Sequence, residues 1–318
     1  MKYYVGIDLG GTNIAVGVVD EEYRIVGRAS VKTNCPRPAE EIADDMAKAA
    51  FMAVEDAGVS MDQVEWIGIG SPGTVDKEQG VVVYANNLDF HNVPVAKLIG
   101  ERTGRKVYMD NDANAAAYGE SIAGAAKGYK NVLAITLGTG VGGGIIIDGR
   151  IYGGFSNCGA ELGHMGIVYD GRPCTCGRKG CIEAYASATG LINLTKEAME
   201  DHPASIMWQM VDGDLNKVNG RVAFDAMRKG DETGAQVVDQ YISYLAYGVS
   251  NFINMFQPEI LVIGGGIGKE GENLLVPLRE KVKKETYAKR PEDETQILSA
   301  KLGNDAGIIG AAFLGNMA

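Results

Sequence analysis

The chain has 318 residues, 46% of them hydrophobic and 22% charged, enough for two domains with full cores and ordinary for a soluble globular protein. A formal net charge of −11 repels nucleic acid and anionic lipid, so neither is expected as a partner. No apolar run reaches the roughly 20 residues that span a bilayer, and no basic leader with an apolar core opens the chain, so a cytoplasmic location without membrane attachment is expected.

The first element is an apolar strand over 3–9, followed by the turn Gly10-Gly11-Thr12-Asn13 and a second apolar strand over 14–20. Pro38 introduces a helix with Ile42, Met46, Ala50, Ala53, Val54 and Ala57 on one face, and Gly58 ends it. A buried strand at 64–69 leads into Gly70-Ser71-Pro72-Gly73-Thr74-Val75-Asp76, read as a rigid loop. A helix around 94–103 and a strand over 106–109 complete an alternating α/β half. The opening unit then recurs: a strand at 131–137, the turn Gly138-Thr139-Gly140, and a strand over 144–149. A long helical region from about 233 to 256 precedes a strand at 259–263 and the run Gly264-Gly265-Gly266. The repeat predicts a duplicated fold of two α/β lobes, each presenting a glycine hairpin, joined without a low-complexity linker and with a cleft between them. The 44 glycines, clustered and not periodic, fit a chain whose backbone must approach other groups closely at many points.

Glycines at a strand-to-strand turn let backbone N–H groups face an anion, and threonine hydroxyls add donors. Asp8, beside the first such turn, would hold Mg²⁺ through water, since that ion keeps several waters and takes few carboxylates. Gly138, Gly140 and Gly143 formally match the dinucleotide fingerprint, but a strand follows where that motif requires a helix, so this reading is rejected. There is no phosphate loop of the G-x-x-x-x-G-K-[ST] type. In Asp110-Asn111-Asp112-Ala113-Asn114, a strand ends at Met109 and a helix of small residues begins, with Asp112 at or near the N-cap. Asp112 is therefore either a cap or a general base that takes the proton of a substrate hydroxyl during phosphoryl transfer. His164 with Cys174, Cys176 and Cys181 forms a Cys₃His set in C-x-C-x₄-C spacing, matching four tetrahedral ligands of a structural zinc ion. Glu161 and Glu183 flank that set and would aim carboxylates at substrate hydroxyls. Cys35 and Cys158 have no partner pattern and are read as structural. Gly264-Gly265-Gly266 is either an ordinary turn or a place where backbone packs flat against a base.

Taken together, Asp8-Leu9-Gly10-Gly11-Thr12, Asn111-Asp112, the segment 137–166 with Glu161-Leu162-Gly163-His164, and Cys174-Thr175-Cys176-Gly177 through Cys181-Ile182-Glu183 resemble the ROK family of bacterial sugar kinases and repressors. This family lies within the actin/hexokinase/Hsp70 superfamily, and the resemblance covers essentially the whole chain. It implies an α/β, two-lobed, actin-like ATPase fold of the ribonuclease H type, with duplicated mixed sheets and a central cleft. The first lobe would be 1–110 completed by a C-terminal helix 304–318, and the second 111–303 with the zinc loop. The resemblance also implies transfer of the γ-phosphate of ATP to a sugar 6-hydroxyl with Mg²⁺ present. Asp112 would be the base; Gly73, Asn87, Asn111, Asp112, Glu161, His164 and Glu183 would hold the sugar. Gly10, Gly11, Thr12, Asn13, Gly138, Thr139 and Gly140 would cradle the phosphates of ATP, Asp8 would serve Mg²⁺, and Gly265 would meet the adenosine. His164, Cys174, Cys176 and Cys181 match the family's zinc ligands. Glucose is the expected sugar, with N-acetylglucosamine, mannose or fructose as alternatives, and a homodimer or homotetramer is implied. The rival reading is a sugar-sensing repressor; Asp8 lies too near the start of the sequence for the helix-turn-helix domain such proteins carry before this motif.

Overall fold

A computed structural model describes residues 2–317. Met1 and Ala318, which end the expected first lobe and C-terminal helix, lie outside the described residues. The first sheet opens with the antiparallel strands β1 (Tyr3–Leu9), β2 (Asn13–Asp20) and β3 (Ile25–Lys32). Helix α1 (Ala39–Asp56) follows Pro38 and ends at Gly58, whose φ of 67° is the left-handed conformation that glycine adopts without strain. Its Ile42, Met46, Ala50, Ala53 and Val54 are buried, as the helical spacing predicts, and join Val5, Ile7, Leu9, Ile14 and Val16 in one core. Strand β4 (Val64–Ser71) pairs parallel with β1. Then β5 (Thr74–Asp76), β6 (Val81–Ala85) and β7 (Phe90–Val93) form a small antiparallel sheet, helix α2 spans Val95–Thr103, and β8 (Val107–Asn111) pairs parallel with β4. The sheet order is β3-β2-β1-β4-β8.

The second large sheet is built from β9 (Val132–Leu137), β10 (Val141–Ile147), β11 (Arg150–Ile151), β12 (Ile260–Gly264) and β13 (Gln296–Ser299), in the order β11-β10-β9-β12-β13. Both sheets thus place the first strand in the centre, the next two on one side and the later two on the other. That shared order is the duplication read from the repeated strand-turn-strand unit. The long helix Glu232–Phe256 lies where the sequence places it, and helices at Ala188–Asp201, Val222–Arg228 and Glu272–Glu285 join it. Among the described residues no helix is long and apolar enough to cross a membrane.

Four local expectations are corrected. The strand expected to stop at Met109 runs on to Asn111, because Asp110 and Asn111 pair with Gly70 and Ser71 of β4. The segment after Gly70 is no plain loop: Ser71 still belongs to β4, and Thr74 to Asp76 form β5. Strand β10 begins at Val141, three residues early, since its glycines are packing positions; a Cβ on Gly143 would strike Leu162. The C-terminal helix is an α-helix only over Asp305–Ala312, where the indole N–H of Trp66 donates to the Ala312 carbonyl at 2.8 Å, and gives way to a 3₁₀ turn at Leu314–Met317.

The chain groups into two compact units, one of Met1–Leu133, Gly144–Ala160 and Lys301–Ala318, the other of Ala134–Gly143 and Glu161–Ala300. Helix α3 (Asp112–Ile122), placed after the expected boundary at 110, falls in the first unit. The reason is contact between small residues. A Cβ on Gly119 would overlap the Ala306 carbonyl, and one on Gly310 the Ala115 carbonyl, so α3 and the helix Asp305–Ala312 touch backbone to backbone. The same helix lies flat on β1 and β4, where a Cβ on Gly6 or Gly68 would meet the carbonyls of Ile308 or Ala311.

Candidate active site

In the first unit, β-sheet register aligns Asp8 of β1, Gly70 of β4 and Asp110 of β8 side by side. The turn after β1 is tied back on its carbonyl side: Gly10 N–H donates to the Asn13 carbonyl at 3.0 Å, Thr33 N–H to Thr12 at 3.0 Å, and the buried Thr33 hydroxyl to Gly10 at 2.6 Å. Gly11 packs against Asn87, which sits in a short turn after β6. Gly73 has φ 83° and no room for a Cβ beside the Tyr84 carbonyl, and its own carbonyl accepts the side-chain amide of Asn111 at 3.1 Å.

Asn111, and not Asp112, caps α3: its Oδ1 accepts from the N–H groups of Ala113 at 2.9 Å and Asn114 at 3.3 Å. Asp112 is the first residue inside the helix, with Oδ1 accepting from Ala113 N–H at 2.8 Å. Burial raises the pKa of Asp112, and the N–H bonds oppose that rise. On Asp8 nothing opposes the rise: burial first and the charge of Asp112 second push the carboxyl up to about 6. Asp110 is buried, accepting from Asn111 N–H at 2.7 Å and the Asn114 amide at 2.8 Å, with Lys77 Nζ 4.0 Å away. The sequence reading passed over Asp110 and Thr33. The register of β1, β4 and β8, which sets Asp110 in line with Asp8, is what brings the first into the site, and it links strands far apart in sequence.

In the second unit, the turn Gly138-Thr139-Gly140 is anchored from residues that follow the cysteines. Gly138 accepts from Ala188 N–H at 2.8 Å, Thr139 from the Thr189 hydroxyl at 2.8 Å, and Val141 N–H donates to Glu183 Oε2 at 3.0 Å. The other oxygen of Glu183 accepts from the Thr175 hydroxyl at 2.9 Å. Gly265 has φ 83°, and a Cβ on it would press on the Leu137 backbone just before the same turn. Glu161 precedes the short turn Leu162–His164, and its side chain is exposed. Gly163 in that turn lies against the Val141 carbonyl.

His164, Cys174, Cys176 and Cys181 come together, their ligand atoms all within 4.8 Å of one another. A tetrahedral zinc with Zn–S of about 2.3 Å and Zn–N of about 2.0–2.1 Å requires S···S edges near 3.8 Å and S···N edges near 3.6 Å. Cys176 and Cys181 sulfurs are 3.7 Å apart, and Cys174 Sγ is 3.6 Å from His164 Nδ1. The donor set fits the ion. The loop holding it is a backbone turn, with Gly177 N–H bonded to the Cys174 carbonyl at 3.0 Å and Gly177 at φ 86°. Elsewhere, a cavity of about 620 Å³ lies between the helix Glu272–Glu285 and the segment up to Leu298, and none of the residues above lines it.

The sequence model of the ROK family matches residues 4–317. A glucokinase of Thermotoga maritima is 38% identical over 310 residues, covering 97% of this chain and 95% of that protein. Among solved structures, a ROK family glucokinase from Streptomyces griseus in complex with glucose and AMPPNP is 38% identical, with a TM-score of 0.82 over 99% of this chain and 100% of that one. The ROK hexokinase of Thermus thermophilus is 33% identical, with a TM-score of 0.81 over 98% and 97% of the two chains.

Proposed function

Since the chain belongs to the ROK family, we propose that it is an ATP-dependent glucokinase, transferring the γ-phosphoryl group of ATP to the 6-hydroxyl of glucose. The observation that carries the reading is the half-buried Asp112 carboxylate at the head of α3, in a chain collinear with glucokinases. Its raised pKa makes it a better proton acceptor than an exposed aspartate, while the Ala113 N–H keeps the ionised form accessible. As the sugar oxygen bonds to the γ-phosphorus, the hydroxyl proton passes to Asp112, the bond to the bridging oxygen breaks, and ADP leaves.

Asn111 and Gly73 fix the backbone around that base, and Asn87, Glu161, His164 and Glu183 bind sugar hydroxyls. Although Glu183 already accepts from Thr175 and Val141, each carboxylate oxygen has a second lone pair for a sugar hydroxyl. Gly10 to Asn13 and Gly138 to Gly140 face the phosphates, with Gly265 at the adenosine. Asp8 suits Mg²⁺, a hard cation bound by one or two carboxylates together with substrate phosphates; the ion would neutralise charge developing on the transferred group. Zinc on His164 Nδ1 and the three thiolates would have four protein ligands and no open position, so its part is to order the loop. Nε2 of His164 is then left for the sugar. The five cysteines are free, consistent with work in the reducing cytoplasm, where ATP is supplied.

ADP release from Mg-ATP, followed with glucose, N-acetylglucosamine, mannose and fructose in turn, tests the reading. A clear preference for glucose is expected. Preference for another sugar would overturn glucose and keep the kinase, and no sugar-dependent turnover would remove the kinase itself.

A further inference from the structure

Glu183 joins two parts of the second unit that the chemistry otherwise treats separately. One carboxylate oxygen takes the N–H of Val141, the residue after Gly138-Thr139-Gly140, at 3.0 Å. The other takes the hydroxyl of Thr175, which lies between the metal-ligating Cys174 and Cys176, at 2.9 Å, and is 3.4 Å from Cys174 Sγ. Gly140 is required for this reach, because a Cβ there would sit on Glu183 Oε2. Val141 is also held at the peptide that follows it, where Gly163 of the His164 turn packs on its carbonyl. Ala188 and Thr189 fasten the remaining carbonyls of the turn but do not reach the thiol loop through any of these bonds.

We propose that Thr175 is a positioning residue that holds the Glu183 carboxylate across the Gly138–Gly140 turn, so that an ordered thiol loop sets the shape of the turn that receives ATP. This rests on the reading of that turn as a phosphate site. The consequence is specific: the thiol loop governs nucleotide affinity even when no sugar is present. A carboxylate whose Thr175 donor is lost is free to rotate away from Val141, and the turn then gains conformations that must be frozen out when nucleotide binds.

The test is calorimetric binding of Mg-ADP, without sugar, to the full chain and to Thr175→Val and Thr175→Ser, with zinc content and Tm recorded for each. Thr175→Val is expected to weaken Mg-ADP binding about tenfold (about 1.4 kcal/mol), with zinc content equal to wild type and the KM for ATP raised more than the KM for glucose. Thr175→Ser keeps the hydroxyl and is expected to restore binding to within about twofold, since one side-chain donor to a charged acceptor carries the effect. An unchanged Mg-ADP affinity in zinc-loaded Thr175→Val overturns the proposal, whatever happens to Tm. Should that variant lose zinc or fail to fold, wild type stripped with a chelator decides: weakened Mg-ADP binding regained on zinc addition supports the link, and unaltered binding overturns it. Nucleotide binding without glucose turnover would overturn the glucokinase reading alone, and no Mg-ADP binding by wild type would overturn both.

Discussion

Asp8 and Asp112 are neighbouring carboxylates whose ionised forms are disfavoured by the same burial that equips them for chemistry. For Asp8 the folded pKa of about 6 lies above its ordinary value of 3.8. Its proton therefore stabilises the fold at low pH, and that stabilisation is lost as pH rises from about 4 through about 6. Asp8→Asn removes the ionisation, so at pH 8, without metal or nucleotide, it is expected to raise stability by up to about 3 kcal/mol. Urea unfolding at pH 8 and pH 4 checks this; the gain should vanish at the lower pH, and the variant should lose Mg-ATP turnover throughout. Asp112→Asn should lower kcat by about 10²- to 10⁴-fold, the usual worth of a general base, with a much smaller change in glucose affinity. An unchanged kcat would return Asp112 to a purely structural role. At this scale the sequence named both carboxylates and put Asp112 at or near the cap, without singling out Asn111 as the residue that caps. Asn111 and Asp112 are adjacent residues of types that both cap helices well, and only the pairing of Asn111 with Ser71, far away in sequence, decides where the strand stops.

Elements with a clear period were legible: β1, β2, α1 and the long helix Glu232–Phe256 all carry the apolar spacing of their type. The sheet β5-β6-β7 was not, because its strands are short and carry polar residues such as Asp76, His91 and Asn92. The helix Asp305–Ala312 was found but drawn too long. Its residues from Ala306 to Ala312 are buried all round, leaving no amphipathic stripe to mark an end, and the cap comes from Trp66 across the sheet. The backbone contacts of this helix give a prediction of their own. Gly310→Ala places a methyl on the Ala115 carbonyl, an obstacle that no side-chain rotation relieves. It is expected to cost about 1–3 kcal/mol or more, as overpacked cores do, seen as a lower Tm. Gly303→Ala, with φ 58° but open space around it, should cost less.

Across the whole molecule, the fold class and the duplication could be read from the two hairpin units, because each repeats strand, turn and strand in order. The anchoring of those turns could not. Thr33, Thr175, Ala188 and Thr189 act through one or two hydrogen bonds each, which leave no pattern in the sequence around them. The metal loop was legible because ligand spacing is itself the pattern. Replacing Cys176 with serine, or prolonged chelation, should reduce bound zinc from about one per chain and lower glucose affinity, by elemental analysis and calorimetry. Full sugar affinity in metal-free protein would dismiss the ordering role given to zinc.

The helix Asp305–Ala312 lies on β1 and β4, which are made more than two hundred residues earlier. At translation speeds of about 5–20 residues per second, the glycine-lined face of that sheet waits roughly ten to fifty seconds on the ribosome before its cover emerges. The nascent chain therefore carries the Gly6 and Gly68 face of β1 and β4 uncovered until that helix is made, and the first unit becomes a finished domain only when Asp305–Ala312 leave the exit tunnel. A chain cut short before Asp305 would therefore leave the first unit unfinished, although most of that unit is made at the other end of the sequence.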